Sequence, residues 1–316
     1  MLTSGRSRAL LPVLTLSLLL AVAFAGCSSQ NNAAVQSQPD TNATIAVGNL
    51  PVGVAFGEGS VWVANYRDNT VSRIDPRSRT VIANIPVGTH PKGVAVGEGS
   101  VWVIDYDEAR ITRIDPKTNS VAQSLPVGSS YIGIGAGAVW VTNEDEGTVS
   151  RIDPRAGIVV ATIAVGRLPL GVAAGEGAVW VTRFDDGSLL RIDPATNKVV
   201  GDPIKVGRSP GFVTTSAGSV WVVNTDDNTV TRIDAKTGQV VATIKVGQYP
   251  VAIAATPTAV WVANFGDGTV SRIDPQTNAI AGAPIPAGTR PAGLAAGPDA
   301  VWVTLFGGGL VRRIPL

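Results

Sequence analysis

The chain has 316 residues, with 25 basic and 24 acidic side chains, one histidine and one cysteine. So even a charge balance gives no support to nucleic-acid binding or to electrostatic attachment to a membrane, and a lone cysteine excludes any disulfide within the chain. At this length a core can bury most of the unfolded surface without cross-links.

In chain order, the first element lies outside the fold. Arg6 and Arg8 precede an apolar run, ALLPVLTLSLLLAVAFAG, that ends at Cys27. A positive segment, a short apolar segment and small residues before a cleavage point make a secretory signal, residues 1–26. Ala25-Gly26-Cys27 resembles the processing site of bacterial lipoproteins, although Phe24 stands where an aliphatic residue is commoner. That resemblance implies a lipid on Cys27, a membrane reached through the lipid, and an extracytoplasmic, membrane-anchored location in the cell envelope. The apolar run is short for a membrane-spanning helix. Without Arg6 and Arg8, 23 basic residues face 24 acidic ones, a net charge of −1. Residues 27–41 are polar and low in hydrophobics, and read as a flexible tether.

From residue 42 onward the sequence repeats. VWV recurs with its tryptophan at Trp62, Trp102, Trp140, Trp180, Trp221, Trp261 and Trp302, which are all seven tryptophans of the chain. An RID segment follows each of the first six, headed by Arg73, Arg113, Arg151, Arg191, Arg232 and Arg272, and the seventh copy ends in RIPL from Arg313. A period near 40 with four short β-rich segments predicts an all-β propeller of seven four-stranded blades. In copy two the segments are KGVAVG, SVWVIDY, RITRIDP and VAQSLPVG, here strands A to D. Turn residues separate them, GEG between A and B and DPKTN between C and D. Prolines inside segments fall mainly in D (Pro86, Pro126, Pro203, Pro284 and Pro286). Proline cannot donate to a ladder, so D is the outer edge. The 41-residue repeats carry their extra residue in D, which predicts an edge bulge. Residues 41–48, TNATIAVG, match VVATIAVG at 159–166, so the repeats start with an orphan strand D and stop after a strand C. The orphan predicts three-plus-one closure, with the N-terminal strand completing the last blade.

Antiparallel blades place the B–C and D–A connections on one face, and A–B and C–D on the other. The second face carries near-identical turns such as DPRSR, DPATN and DPQTN, and residues present in every blade hold blades together. The first face varies. Its D–A loops carry the only histidine, His90, and Arg290; its B–C loops offer Tyr66, Arg67, Arg183, Phe184 and Phe265; Tyr249 lies in QYP. A rigid scaffold with varied loops at one end is where binding usually resides. Copy three is two residues shorter between Gly128 and Trp140 and lacks the loop proline. That shortening predicts a notch lined by His90, Lys92 and Tyr131, with Lys92 alone in a column of Val52, Ile132, Leu170, Gly211, Val251 and Ala292. These ten residues (His90, Lys92, Tyr131, Tyr66, Arg67, Arg183, Phe184, Tyr249, Phe265 and Arg290) are the candidate ligand contacts. Acidic turns such as DEAR, EDEG, FDDG and TDDN lack the regular spacing of a calcium loop and read as hairpin turns. No metal or other cofactor is expected.

WVTN at 140–143, WVAN at 62–65 and 261–264, and the following TVSRIDP resemble the YVTN-type β-propeller repeat. GVAFGEGSVWVAN is similar to the repeat of the virginiamycin B (streptogramin) lyase group, and the resemblance spans residues 42–316. It implies a seven-bladed propeller. In the lyase group it further implies metal-assisted elimination by histidine and acidic residues on the loop face. Where that family's repeat ends in Glu, this chain has Asn65, Asp105, Asn143, Arg183, Asn224, Asn264 and Leu305. General acid–base work needs a positioned proton carrier with an orienting partner, and one histidine serves the whole chain. The expectation is therefore a monomeric, lipid-anchored, non-enzymatic propeller that binds a protein, peptide or glycan through its variable loops. The alternative is a streptogramin-lyase-like or related propeller enzyme.

Overall fold

The computed structural model describes residues 44–128 and 130–316. The expected signal, the lipidated Cys27 and the tether lie outside the described residues. The unit Asp40–Leu316 contains seven antiparallel sheets, each with strands A to D in spatial order. Blade two is representative: Pro91–Gly97, Ser100–Asp105, Arg110–Asp115 and Ser120–Pro126. Blade seven is Pro291–Ala296, Ala300–Leu305 and Leu310–Pro315, completed by Thr44–Ala46, whose Ile45 pairs with Val311. The three-plus-one closure expected from the orphan strand is present. Strands A of successive blades pack side by side around the ring, and those of blades seven and one close it. The Thr304 hydroxyl donates to the Val52 carbonyl across that seam at 2.7 Å.

Strand A is innermost and close-packed backbone to backbone. A Cβ at Gly171 would lie 2.3 Å from the Gly211 carbonyl oxygen, so only glycine fits where blade four meets blade five. Strand B is apolar on both parities because it is covered on both sides, and in blade two all six of its residues are buried. Strand D is outermost. In blades four and six it breaks into Lys198–Val199 plus Ile204–Lys205 and Ala279–Ile280 plus Ile285–Pro286, at the places where the sequence has its extra residue and proline.

The repeated residues are structural. Each tryptophan is buried, with the strand C arginine of its own blade stacked on the indole; Arg73 lies 4.8 Å from the Trp62 ring centre. Three of these arginines also latch the next blade. Arg73, Arg151 and Arg232 donate to the carbonyls of Pro116, Pro194 and Pro275, and to the side-chain oxygens of Asn119, Asn197 and Asn278. The latches thus join blades one to two, three to four and five to six, where the next turn reads DPxTN. The Asp of the C–D turns, DPxTN or not, caps amides two or three residues on, as Asp153 does for Arg155 and Ala156 at 2.8 and 3.0 Å.

Candidate ligand site at the channel mouth

The D–A loops are fixed by acids and amides from the B–C turns. Asp68, Glu108, Asp227 and Asp267 accept the backbone N–H of Asn49, Thr89, Arg208 and Gln248. These hydrogen bonds hold Asp68, Glu108 and Asp227 below the usual carboxylate range, and the acid-rich segments act as turns. The column that replaces the lyase-type Glu is structural too. Asn65 accepts from Gly48 and donates to Thr70 and Ser72, stapling two loops together. In blade two this staple is Asp105, which accepts from Gly88 at 3.1 Å and from the Thr112 hydroxyl at 2.5 Å, and burial pushes its carboxyl up to about 6. Arg183 fills the same place in blade four and is bound within its own turn by Asp186 and Ser188.

Six variable D–A residues have left-handed backbones: Leu50, His90, Leu168, Ser209, Tyr249 and Arg290, with φ between 48° and 54°. That conformation is costly for residues with a Cβ and is held by the turn of the preceding blade. Asn69 accepts the His90 N–H at 2.9 Å, and Asn228 accepts that of Tyr249 at 2.7 Å. The repeating scaffold therefore imposes one strained conformation on positions whose side chains differ.

Blade three alters the expected notch. The two missing residues come from the loop: Ser130 and Tyr131 lie opposite Thr142, which accepts from the Ser130 N–H and donates to the Tyr131 carbonyl, just as Lys92 and Gly93 lie opposite Ile104 in blade two. Tyr131 therefore stands where blade two has Gly93. Its N–H donates to the Thr142 hydroxyl at 3.0 Å, as Gly171 and Gly293 do to Thr182 and Thr304. Tyr131, rather than Gly133, thus joins an inner-strand column of Gly53, Gly93, Gly171, Phe212, Ala252 and Gly293. The two large members of this column meet: the rings of Tyr131 and Phe212 pack edge to face with centres 4.7 Å apart, across blade four. Beside the shortened loop, the Tyr131 ring thus lies on the inner strand.

Lys92 and Tyr131 come together as expected, while His90 is separate. The Lys92 ammonium sits over two ring faces, 4.7 Å from Tyr106 and 5.0 Å from Tyr131. Beside them Glu144 is buried, with one carboxylate oxygen accepting from Ser130 at 2.9 Å. Burial lowers the Lys92 pKa and raises those of Glu144 and Tyr131, each toward the neutral form. His90 instead stacks on Tyr66, with centres 4.4 Å apart and planes 8° from parallel, and its Nδ1 meets Asp107 at 2.5 Å. A third group lies on blades six and seven, where Phe265 is 6.1 Å from Tyr249 and 6.3 Å from Phe306, with Arg290 over Phe265 at 5.8 Å. Arg67 lies within electrostatic reach of Tyr66, and Phe184 has no described ring contact or ion pair with any of these groups. Tyr106, Glu144 and Phe212 are members that sequence reasoning did not select. A bulky residue in a glycine column would have revealed Phe212.

A family model describing virginiamycin B lyases matches residues 40–236. The chain belongs to the virginiamycin B lyase family. A streptogramin B lyase structure matches with a TM-score of 0.74 at 21% identity, over 85% of this chain and 94% of that one. The Staphylococcus aureus virginiamycin B lyase gives 0.74 at 20%, over 86% and 98%. Hydrazine synthase of Kuenenia stuttgartiensis gives 0.76 at 15%, over 90% and 99%, so the shape alone does not select a chemistry. A search of curated proteins finds no match. The family resemblance implied a metal-assisted reaction, and the donors here do not fit a metal ion. Among the described residues no three His, Cys, Asp or Glu side chains converge, and Nδ1 of the one imidazole is taken by Asp107.

Proposed function

We propose that this member of the family is a lipid-anchored binding propeller of the cell envelope, without enzymatic activity, whose channel mouth receives a protein, peptide or glycan. The observation that carries this reading is the buried, unpaired Oε1 of Glu144 near the Lys92 ammonium, set among Tyr106, Tyr131 and Phe212. A scaffold gains nothing from a carboxylate left in that condition, whereas a binding site does. The tether and the lipid on Cys27 hold the ring at the membrane.

The test is an array of peptides and glycans probed with the isolated unit Asp40–Leu316. The reading expects specific spots that disappear with a His90→Ala/Lys92→Ala/Tyr131→Ala variant; spots unchanged by that variant would remove the mouth from the account. Anchoring is tested separately by metabolic labelling with radioactive palmitate, which Cys27→Ala should abolish.

One observation favours a second reading, a streptogramin-lyase-like enzyme. Asp107 orients His90 through Nδ1, which leaves Nε2 as a base. A rise in melting temperature with magnesium or manganese would support that reading. No shift supports the binding propeller.

A further inference from the structure

The mouth holds two groups whose needs are opposite and are not met by each other. Lys92 is half-buried; its three N–H donors meet no described acceptor, and its ammonium lies over two ring faces. Glu144 has one oxygen on Ser130, and its other, Oε1, is buried without a donor. Among the described residues it is the sole carboxylate oxygen left in that state. The two charges feel each other, each shifting the other's pKa, without forming an ion pair. A group inserted between them would have to accept from an ammonium and donate to a carboxylate. Around it stand Tyr106, Tyr131 and Phe212, walls suited to an apolar or aromatic side chain.

We infer that the mouth recognises an α-amino carboxylate: a carboxylate set against Lys92, with the nitrogen on its α-carbon donating to Glu144 Oε1 and its side chain against Tyr131 and Phe212. This deepens the proposed function and rests on it. Two sources share that chemistry, a free amino acid, whose nitrogen is an ammonium, and the last residue of a peptide, whose nitrogen is an amide N–H. Either guest restores what burial removes: Lys92 gains a counter-charge and Glu144 gains a donor. A glycan lacking a carboxylate does neither. The position also explains why Lys92 is alone in its column, since without Glu144 opposite, a lysine there would answer only half of a zwitterion.

The test titrates the unit Asp40–Leu316 calorimetrically with the tripeptide Gly-Gly-Phe, with its C-terminal amide and with free phenylalanine. The acid should bind about tenfold or more tightly than the amide, because the amide removes the charge that Lys92 needs. Lys92→Met, which keeps the stem over both rings, should abolish the difference between acid and amide. Glu144→Gln should weaken the acid severalfold and leave its advantage over the amide. Tighter binding of the tripeptide assigns the site to peptide C-termini, and tighter binding of phenylalanine assigns it to amino acids. Equal affinity for acid and amide, no binding of either at about millimolar concentration, or a difference that survives Lys92→Met would overturn the inference.

A measurement on the unaltered protein guards against a variant that fails to fold. Acetic anhydride labelling, followed by mass spectrometry, should modify Lys92 more slowly with the acid present than with the amide. Equal rates would overturn the inference as well. The proposed function fails separately: array spots that depend on the mouth but ignore the free carboxylate keep that reading and remove this ligand class.

Discussion

The two faces of the ring solve opposite problems. On the turn face, Arg73, Arg151 and Arg232 each meet a carbonyl and an asparagine of the next blade while covering a tryptophan, and each turn aspartate is capped by amides. These groups recur because every blade needs them. At the loop mouth the recurring parts stop at the backbone, and the side chains on it differ blade by blade. Lys92 and Glu144 sit there without forming an ion pair, Glu144 Oε1 has no donor, and Tyr131 and Phe212 occupy a column where four other blades carry glycine. Repetition marks what holds the ring; departure from it marks what the ring presents.

Substitutions divide along the same line, and urea unfolding measures each. Trp140→Ala should destabilise most, by about 3–5 kcal/mol, because a fully buried indole leaves a cavity between blades. Asp105→Asn should act in the other direction. Burial disfavours the Asp105 carboxylate, with the pKa pushed up to about 6 from the ordinary value of 3.8. The folded state therefore binds the proton more tightly than the unfolded one, and stability falls as pH rises from about 4 to about 6. Asparagine, which Asn65, Asn143, Asn224 and Asn264 already supply at this place, removes that loss: a gain of about 2–3 kcal/mol at pH 7 and none near pH 4. A gain independent of pH would show that Asp105 is not the group responsible.

Arg151→Ala should cost about 2 kcal/mol, from two charge-assisted hydrogen bonds and the stack on Trp140. The smallest effect belongs to the mouth. Lys92→Met should leave stability unchanged or raise it by about 1 kcal/mol, since it removes a charge that burial disfavours. A loss as large as that of Arg151→Ala would make Lys92 part of the scaffold and erase the distinction between the faces.

Much of this fold was legible because a repeat is read many times over. The blade count, the strand phase and the closure by Thr44–Ala46 followed from the tryptophan spacing and the orphan TNATIAVG segment. The site was legible only in part. Lys92 and Tyr131 were selected because they break the repeat, and they do meet. His90 was grouped with them on sequence proximity, but its left-handed backbone aims it at Tyr66 and Asp107. The place of Tyr131 was misjudged because a two-residue deletion does not say which residues have gone; the hydrogen bonds to Thr142 show that Tyr131 stands where blade two has Gly93. Glu144 escaped notice because an acid in EDEG looks like every other turn acid until its burial is known.

The central claim, that the mouth binds and the remainder supports, is tested most directly by hydrogen–deuterium exchange of the unit Asp40–Leu316 with and without Gly-Gly-Phe. The account predicts slower exchange in 88–93, 104–108, 130–133 and 142–146, and no change in the C–D turns. Protection confined to the C–D turns or the outer D strands, with the mouth unaffected, would contradict it.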